Sequence, residues 1–237
     1  VMMPSPYTSA DSLEDATEAA NLMGTRLESV PIQPAMDAFD AMLAPLFEGR
    51  DRDITEENIQ ARTRGLLLMA LSNKFGHMVL TTGNKSEMSV GYATIYGDMN
   101  GGYSVLKDAY KTTVFKLCHW RNQHCPADFL GPKGRAIPER TITKPPSAEL
   151  RPDQTDQDSL PPYEDLDAIL MCLVEKEMGF DATVAEGFDA DVVRRIWVLL
   201  DRAEYKRRQA PPGVKITGRA FGRDRRYPIT NGFTKQF

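Results

Sequence analysis

A short apolar run that stops at a polar turn is the feature that most constrains the fold of this sequence. Met78–Leu80 is predicted to end a β-strand, because Thr81, Thr82 and Gly83 come directly after it. In open α/β sheets, ligands bind in the crevice outside the carboxyl ends of the strands. The hydroxyl groups of this turn and the carboxylate of Glu87 therefore predict a binding site at this edge. On spacing alone, a strand followed by an ordinary turn is an equally good interpretation.

The composition is that of a globular protein, with either one large α/β domain or a domain with a helical appendage. The chain has 237 residues, 41% of them hydrophobic, and a net charge of −4. That charge argues against nonspecific nucleic-acid binding by the whole chain. Because no apolar run approaches the roughly 20 residues of a membrane span, we expect neither nucleic acid nor a membrane as partner.

The cysteines bear on compartment and metal chemistry. Three cysteines are too few for a disulfide framework and suit a reducing cytoplasm. Cys118 and Cys125 each adjoin a histidine, but structural zinc sites usually have more closely spaced pairs. We therefore expect a packed Cys118 and a surface His124 rather than a zinc site.

The longest predicted helix precedes the strand. Thr55 is its predicted N-cap and Gly76 its end. Asn58 and Arg62 recur at helical spacing on one face of its first half. A solvated polar face is the usual meaning of that pattern.

Three segments come after the turn. A helix is predicted over Leu106–Trp120, with Lys107 and Lys111 one turn apart, where lysines are usually solvated. Residues 126–162 are rich in Pro, Asp, Ser and Gly and are interpreted as a long mobile loop. Residues 204–237 form a basic tail, which is typical of a solvated or disordered end.

Several stretches together carry a resemblance to a known family. In chain order they are ENIQARTRG, TTGNKSE, GYATIYGD, KDAYKTTVFKL and EYKRRQAPPGVKITGRAFGRDRRYPITNGF. This set resembles the synthetase domain of glutamine-dependent NAD synthetase, among the N-type ATP pyrophosphatases, over nearly the whole chain. The resemblance implies an α/β fold over residues 1–237: an open, doubly wound parallel sheet flanked by helices, like that of the adenine nucleotide alpha hydrolases. It also implies that the basic tail packs near the site.

The function implied by the resemblance is that of a ligase. It would amidate deamido-NAD (nicotinic acid adenine dinucleotide) to NAD, with ATP as substrate, Mg²⁺ as cofactor and an adenylate as intermediate. Ammonia would come from glutamine through a nitrilase-like glutaminase domain of the same polypeptide. The family also implies a homo-oligomer.

The resemblance assigns roles to individual residues. Thr82, Lys111 and Ser147 are expected to contact ATP, with Lys111 and Glu87 as the catalytic residues. Glu87 is expected nearest the metal, although it also fits a contact with the substrate. The residues expected to contact deamido-NAD are Asn58, Arg62, Glu87, Tyr92, Ala93, Thr94, Ile95 and Lys206.

One family motif is missing. The phosphate loop Ser-Gly-Gly-x-Asp-Ser occurs nowhere in the sequence, and residues 1–8 match the segment that lies after the β-loop-α unit of that loop in the family. We therefore expect a carboxy-terminal piece of a longer polypeptide, without the family's first strand, phosphate loop and glutaminase domain. Ile95, Gly102 and Tyr205 stand where ammonia-dependent relatives carry lysine, aspartate and histidine, as in the glutamine-dependent branch.

Two other functions stay open. Another amidotransferase of the same fold would share the adenylate chemistry, although the set of motifs favours deamido-NAD. A non-catalytic module that binds a dinucleotide or mediates oligomerisation would explain the missing phosphate loop.

Overall fold

The computed structural model describes residues 1–233, which divide into two compact units. The first unit comprises residues 1–64 and 115–159, and the second comprises residues 65–114 and, within the described part of the chain, residues 160–233. Within residues 1–233, no helix is both long enough and apolar enough to cross a membrane.

The first unit is built from helices. Helix α1 (Ala10–Met23) begins at Ser9, whose side chain accepts a hydrogen bond from Ser12 N, and ends at Gly24, whose φ of 63° is readily accessible to glycine. Helix α2 (Gln33–Leu43) is the next element.

Helix α3 (Ile54–Phe75) runs from the first unit into the second. The N-cap prediction was wrong by two residues, because Asp53 Oδ1, not Thr55, accepts the hydrogen bond that opens the helix, at 2.7 Å from Thr55 N. The predicted end is confirmed, since Gly76 takes a φ of 71°.

The sheet is a pair of short parallel strands. Strand β1 (Leu80–Thr81) pairs with β2 (Tyr103–Ser104), with Leu80 opposite Tyr103. The strand predicted to end at Leu80 extends instead through Thr81, whose side chain is buried. The tail adds to this edge, because Ser104 N donates to Pro212 O at 2.8 Å. An α/β fold with a parallel sheet is therefore confirmed.

The second unit also contains helix α4 (Lys85–Val90) and the start of helix α5 (Lys111–Gln123). The prediction that α5 begins at Leu106 was wrong. Two buried side chains fix its start: Ser86 Oγ accepts from Lys111 N at 2.8 Å, and Asp167 Oδ2 accepts from Thr112 N at 2.9 Å. Lys107 therefore lies outside the helix.

Residues 126–162, predicted as a loop, contain helix α6 (Glu139–Thr143) and a 3₁₀ turn, Asp156–Asp158. Arg140 of α6 pairs with Asp11 and Asp15 of α1 at 2.9 Å each. Several ion pairs to one guanidinium fix the position of α6 on α1.

Helices close the second unit. Its remaining elements are α7 (Tyr163–Leu170), a π-helical turn (Met171–Glu175), α8 (Phe180–Ala185), α9 (Ala190–Arg202) and α10 (Glu204–Arg207). The hydrophobic core lies where α7 and α9 pack with α4. Its most buried members include Leu166, Ile169, Leu170, Val174, Val193, Ile196 and Leu200.

A buried lysine lies at the centre of this unit. The Lys85 side chain is 0% exposed. Its ammonium lies 2.8 Å from Asp108 Oδ1, and it also donates to Glu175 Oε1 and Thr217 Oγ1. Arg219 O accepts a further hydrogen bond at 2.9 Å. A buried charge is tolerated only when paired and hydrogen-bonded in this way.

The two carboxylates bind the tail as well as the lysine. Asp108 Oδ2 accepts from Ile216 N and Thr217 N, at 2.8 and 2.7 Å. Burial opposes ionisation of Asp108, but the hydrogen bonds from Lys85 and from these two amides outweigh it and lower its pKa. Glu175 Oε2 accepts from Arg219 N at 3.0 Å. The Lys85 cluster therefore fixes residues 216–219 beside α4.

Replacing Lys85 with methionine is expected to destabilise the protein by about 3–5 kcal/mol, because it leaves the buried Asp108 and the partly buried Glu175 without their cation. Urea unfolding of the variant measures the loss. Lys176→Met, at an exposed position of the same unit, is the matched control and should change stability little. Equal stability of the two variants would contradict a structural role for the cluster.

The first unit predicts a dependence of stability on pH. Glu149 accepts hydrogen bonds from Ser9 Oγ and Ser12 Oγ, at 2.7 and 2.8 Å, and pairs with Lys144 at 3.3 Å. Burial raises its pKa, but these hydrogen bonds outweigh burial and lower it. Because the pKa is lowered on folding, the stabilisation is present above the ordinary pKa of glutamate and is lost as the pH falls through the folded value.

Glu149→Gln is therefore expected to lose about 1–3 kcal/mol at neutral pH, the usual worth of hydrogen bonds to a charged group. Its deficit relative to the parent should begin to shrink as the pH falls below about 4.3, the ordinary pKa of glutamate, and should disappear once the pH is below the lowered pKa of the folded state. Thermal unfolding at several pH values gives both results. Glu48→Gln, at an exposed position, should show no such trend.

Candidate active site

The candidate site begins where strand β1 ends. Thr82 is exposed directly after the strand, at its carboxyl end. Asn84 then caps α4: its Oδ1 accepts from Glu87 N at 3.0 Å, and Glu87 Oε2 accepts from Asn84 N at 3.2 Å. This reciprocal capping box orients the Glu87 carboxylate at the start of the helix.

An ion pair joins the two residues predicted as catalytic. Lys111 Nζ lies 3.0 Å from Glu87 Oε1, and both side chains are about one-fifth exposed, at 18% and 20%. The ammonium also lies 5.3 Å from the centre of the Tyr163 ring, within the range of a cation–π interaction. The pair is therefore partly shielded from water but accessible to a ligand.

Two buried residues that the sequence analysis did not single out hold this pair in place. Ser86 Oγ donates to Asp167 and accepts from Lys111 N, so it positions the first residue of α5. Burial raises the pKa of Asp167, and the hydrogen bonds from Ser86 and Thr112 act in the opposite direction. The only sequence signal for Ser86 was its place between Lys85 and Glu87 in the TTGNKSE motif.

Lys206 contacts the backbone at residues 92–95, which are predicted to contact deamido-NAD and which we call the wall. Its Nζ donates to Gly91 O at 2.7 Å and to Ala93 O at 2.6 Å. Burial lowers the pKa of Lys206, while the charge of Asp98 acts in the opposite direction. The ammonium therefore shapes the backbone that carries Tyr92, Thr94 and Ile95, all of them half-buried.

Asp98 is a further site residue that was not predicted, although it ends the GYATIYGD motif. Its Oδ1 accepts from Thr94 N at 2.6 Å. The carboxylate is accessible to solvent but lies in a recess of the protein, where desolvation raises its pKa and the charge of Glu87 raises it further. Asp98 and Glu87 line one small cavity together with Thr81, Ala93 and Lys107.

A glycine brings two of the motifs together. A Cβ on Gly65 of α3 would lie 2.9 Å from Tyr96 O and 3.0 Å from Gly97 O. The loop that contains Asp98 therefore approaches α3 at a distance that only glycine permits. The ENIQARTRG and GYATIYGD motifs meet at this point.

The predicted site residues fall in both units. Thr82, Glu87, Tyr92–Ile95, Lys111 and Lys206 belong to the second, whereas Asn58, Arg62 and Ser147 belong to the first. Ser147 Oγ donates to Gln154 O and accepts from Glu149 N at 3.1 Å, so its hydroxyl closes a turn of the loop. Asn58 and Arg62 lie on the first half of α3, with Arg62 exposed.

Few side chains at the site could coordinate a metal ion. Among residues 1–233, no group of three or more His, Cys, Asp and Glu side chains is arranged to hold a metal ion. Mg²⁺ at phosphate-transfer sites is usually bound by one or two carboxylates, with phosphates and water completing the shell. Glu87 and Asp98, which line the same cavity, fit that pattern.

Comparison with known proteins identifies the family. The family model for NAD synthase matches residues 1–210. The chain is 56% identical to the glutamine-dependent NAD(+) synthetase of Rhodobacter capsulatus over 236 residues, which is 100% of this chain and 43% of that protein. It therefore spans less than half the length of this curated relative.

Solved structures agree with the sequence comparison. Glutamine-dependent NAD+ synthetase from Acinetobacter baumannii, in complex with ADP, has 50% sequence identity and a TM-score of 0.57, and the match covers 98% of this chain and 40% of that chain. NMN synthetase from Francisella tularensis has 25% identity and a TM-score of 0.69, with 86% of this chain and 73% of that chain covered. The resemblance found in the sequence motifs is confirmed, and the chain belongs to the NAD synthase family.

Proposed function

We propose that this chain carries the ATP-dependent amidation of deamido-NAD to NAD through an adenylate intermediate. Its membership of the NAD synthase family supports the reaction class. The observation on which the proposal chiefly rests is the Glu87–Lys111 pair, 3.0 Å apart and partly exposed beside the carboxyl end of β1.

The reaction needs activation because a carboxylate is a poor electrophile. In the first step, an oxygen of the nicotinate carboxylate attacks the α-phosphate of ATP, and pyrophosphate leaves. In the second, ammonia attacks the activated carbonyl carbon, and AMP leaves with the former carboxylate oxygen. Negative charge builds on phosphate oxygens in the first step, so cations positioned in advance lower its barrier.

Lys111 is the residue proposed to supply that charge. A compact ammonium on a flexible stem can turn from Glu87 toward a phosphate without moving α5, whose start is fixed by Ser86 and Asp167. The exposed hydroxyl of Thr82 is proposed to contact ATP from the end of β1. Ser147 is proposed as a second hydroxyl contact to ATP.

Deamido-NAD is proposed to contact the wall formed by Tyr92, Ala93, Thr94 and Ile95. Lys206 donates to Ala93 O of this wall and to Gly91 O directly before it, so its proposed contribution includes shaping the wall as well as contacting the dinucleotide. The Tyr92 ring would stack on the pyridine ring of the substrate. Asn58 and Arg62 are proposed as further contacts to deamido-NAD.

Mg²⁺ is proposed as the cofactor, held by Glu87 with Asp98 as the second carboxylate. Its chemistry would be the neutralisation of charge on the ATP phosphates. Glu87 would thereby exchange its partner Lys111 for the metal when ATP binds.

The partners are also proposals. The relatives are named glutamine-dependent, which supports ammonia delivered by a glutaminase domain in the intact protein. A homo-oligomer in the cytoplasm is proposed on the family resemblance. Sedimentation of the intact protein as a monomer would contradict the oligomer.

One alternative has a specific observation in its favour. The similarity to an NMN synthetase suggests amidation of the corresponding mononucleotide. Comparing kcat/KM for deamido-NAD and for nicotinate mononucleotide separates the two. A preference for the mononucleotide would overturn the dinucleotide assignment.

The direct test measures the intact mass of the purified protein and then NAD formation from deamido-NAD, ATP and Mg²⁺, with glutamine or with ammonia. NAD formation with either nitrogen source supports the synthetase function. Absence of NAD even with ammonia would favour a non-catalytic binding module.

Lys111→Met is expected to lower kcat in this assay by roughly 10²–10³-fold, as removal of one positioned electrostatic contact to a transition state typically does. Lys116→Met, an exposed lysine on the same helix, is the matched control and should retain activity. If both variants turn over like the parent, Lys111 does not stabilise the transition state.

A further inference from the structure

A second cavity in the same unit has an unusual charge. It has a volume of about 460 Å³ and lies between the end of α10, residues 210–215 and residues 220–226. Its cationic lining residues are Lys107, Arg207, Arg208, Lys215, Arg223 and Arg226. We call this cavity the basic groove.

Carboxylates neutralise only part of this charge. Glu204 pairs with both Arg207 and Arg208, at 3.0 and 2.6 Å, and Asp224 pairs with Lys215 at 2.6 Å. Asp108, the one acidic residue in the lining, forms its ion pair with Lys85 of the buried cluster instead of with a cation of the groove.

Three cations of the groove are left with positive charge to offer. Lys107 donates to a carbonyl oxygen, Pro211 O, at 2.6 Å rather than to a carboxylate. Burial lowers the pKa of Lys107, and an anion bound nearby would favour the charged form. Arg223 and Arg226 are exposed, and neither has a carboxylate within ion-pair distance in the part of the chain that the structure describes. An anion bound in the groove would neutralise the positive charge of these three side chains.

The rest of the lining indicates an organic ligand. Pro212, Val214 and Phe221 contribute apolar surface beside the arginines. The volume lies within the roughly 300–1,000 Å³ usual for small-molecule sites. A planar guanidinium group can donate two parallel hydrogen bonds to two oxygens of one phosphate. A solvated lysine binds phosphate less specifically, because its ammonium acts as a point charge.

We propose that the basic groove binds a phosphate-bearing organic small molecule, with the phosphate on Arg223 and Arg226 and the organic part against Val214. Lys107 lines both the groove and the cavity of Glu87 and Asp98. An occupant of the groove would therefore contact a residue that also borders the candidate active site. The proposal does not depend on the reaction proposed above.

The test is isothermal titration calorimetry of the intact protein with AMP and, separately, with inorganic phosphate, at low and high salt. Because AMP can also enter the active site, the Lys111→Met variant is titrated in parallel. The groove variant is the double substitution Arg223→Gln with Arg226→Gln. The charge-matched control is Lys176→Gln with Arg202→Gln, two exposed positions of the same unit.

The groove variant is expected to lose AMP affinity at this site by at least about tenfold, while Lys111→Met and the control pair retain it. Weaker binding of inorganic phosphate than of AMP is expected from the apolar wall. The proposal is overturned if the groove variant, folded by circular dichroism, binds AMP like the parent. It is equally overturned if the control pair loses as much affinity, which would indicate binding to net charge, or if phosphate binds as tightly as AMP.

Discussion

The buried ammonium of Lys85 is the interaction on which the second unit depends. A fully buried cation without partners would be too costly to keep, so the fold must bring carboxylates to it. Asp108 comes from the segment before α5, and Glu175 from the π-helical turn after α7. Both acids also accept hydrogen bonds from backbone amides of residues 216–219. One charge thus joins four segments that are distant in sequence, and the tail cannot leave without exposing it.

The same few residues connect this cluster to the candidate chemistry. Four consecutive residues of this segment have four different roles. Asn84 caps α4, Lys85 forms the buried cluster, Ser86 positions the start of α5, and Glu87 pairs with Lys111. Because α4 is only six residues long, its orientation is set by these contacts rather than by its own helical stability. The Glu87–Lys111 geometry is therefore a consequence of how Lys85 and Ser86 are buried.

Sequence analysis correctly predicted structural features that depend only on neighbouring residues. Gly76 ends α3 as expected, because a glycine at φ 71° is a local requirement. The start of α5 was placed five residues too early, at Leu106, because the apolar pattern continues there and the cap comes from Ser86 and Asp167. No local pattern reveals a cap supplied from 25 and 55 residues away. The roles given to Thr82, Glu87 and Lys111 came from the family resemblance, since spacing alone fits an ordinary turn.

The basic tail shows why a count of charges does not determine their function. Arg207 is buried and donates to Ser89 O and Leu200 O, so its guanidinium group stabilises the packing of α10. Burial lowers the pKa of this guanidinium, as expected for a cation that the fold holds away from water. Arg223, only 16 residues further along, faces solvent. Buried structural cations and solvent-exposed cations are thus interleaved in one run of sequence, and only their burial and partners distinguish them.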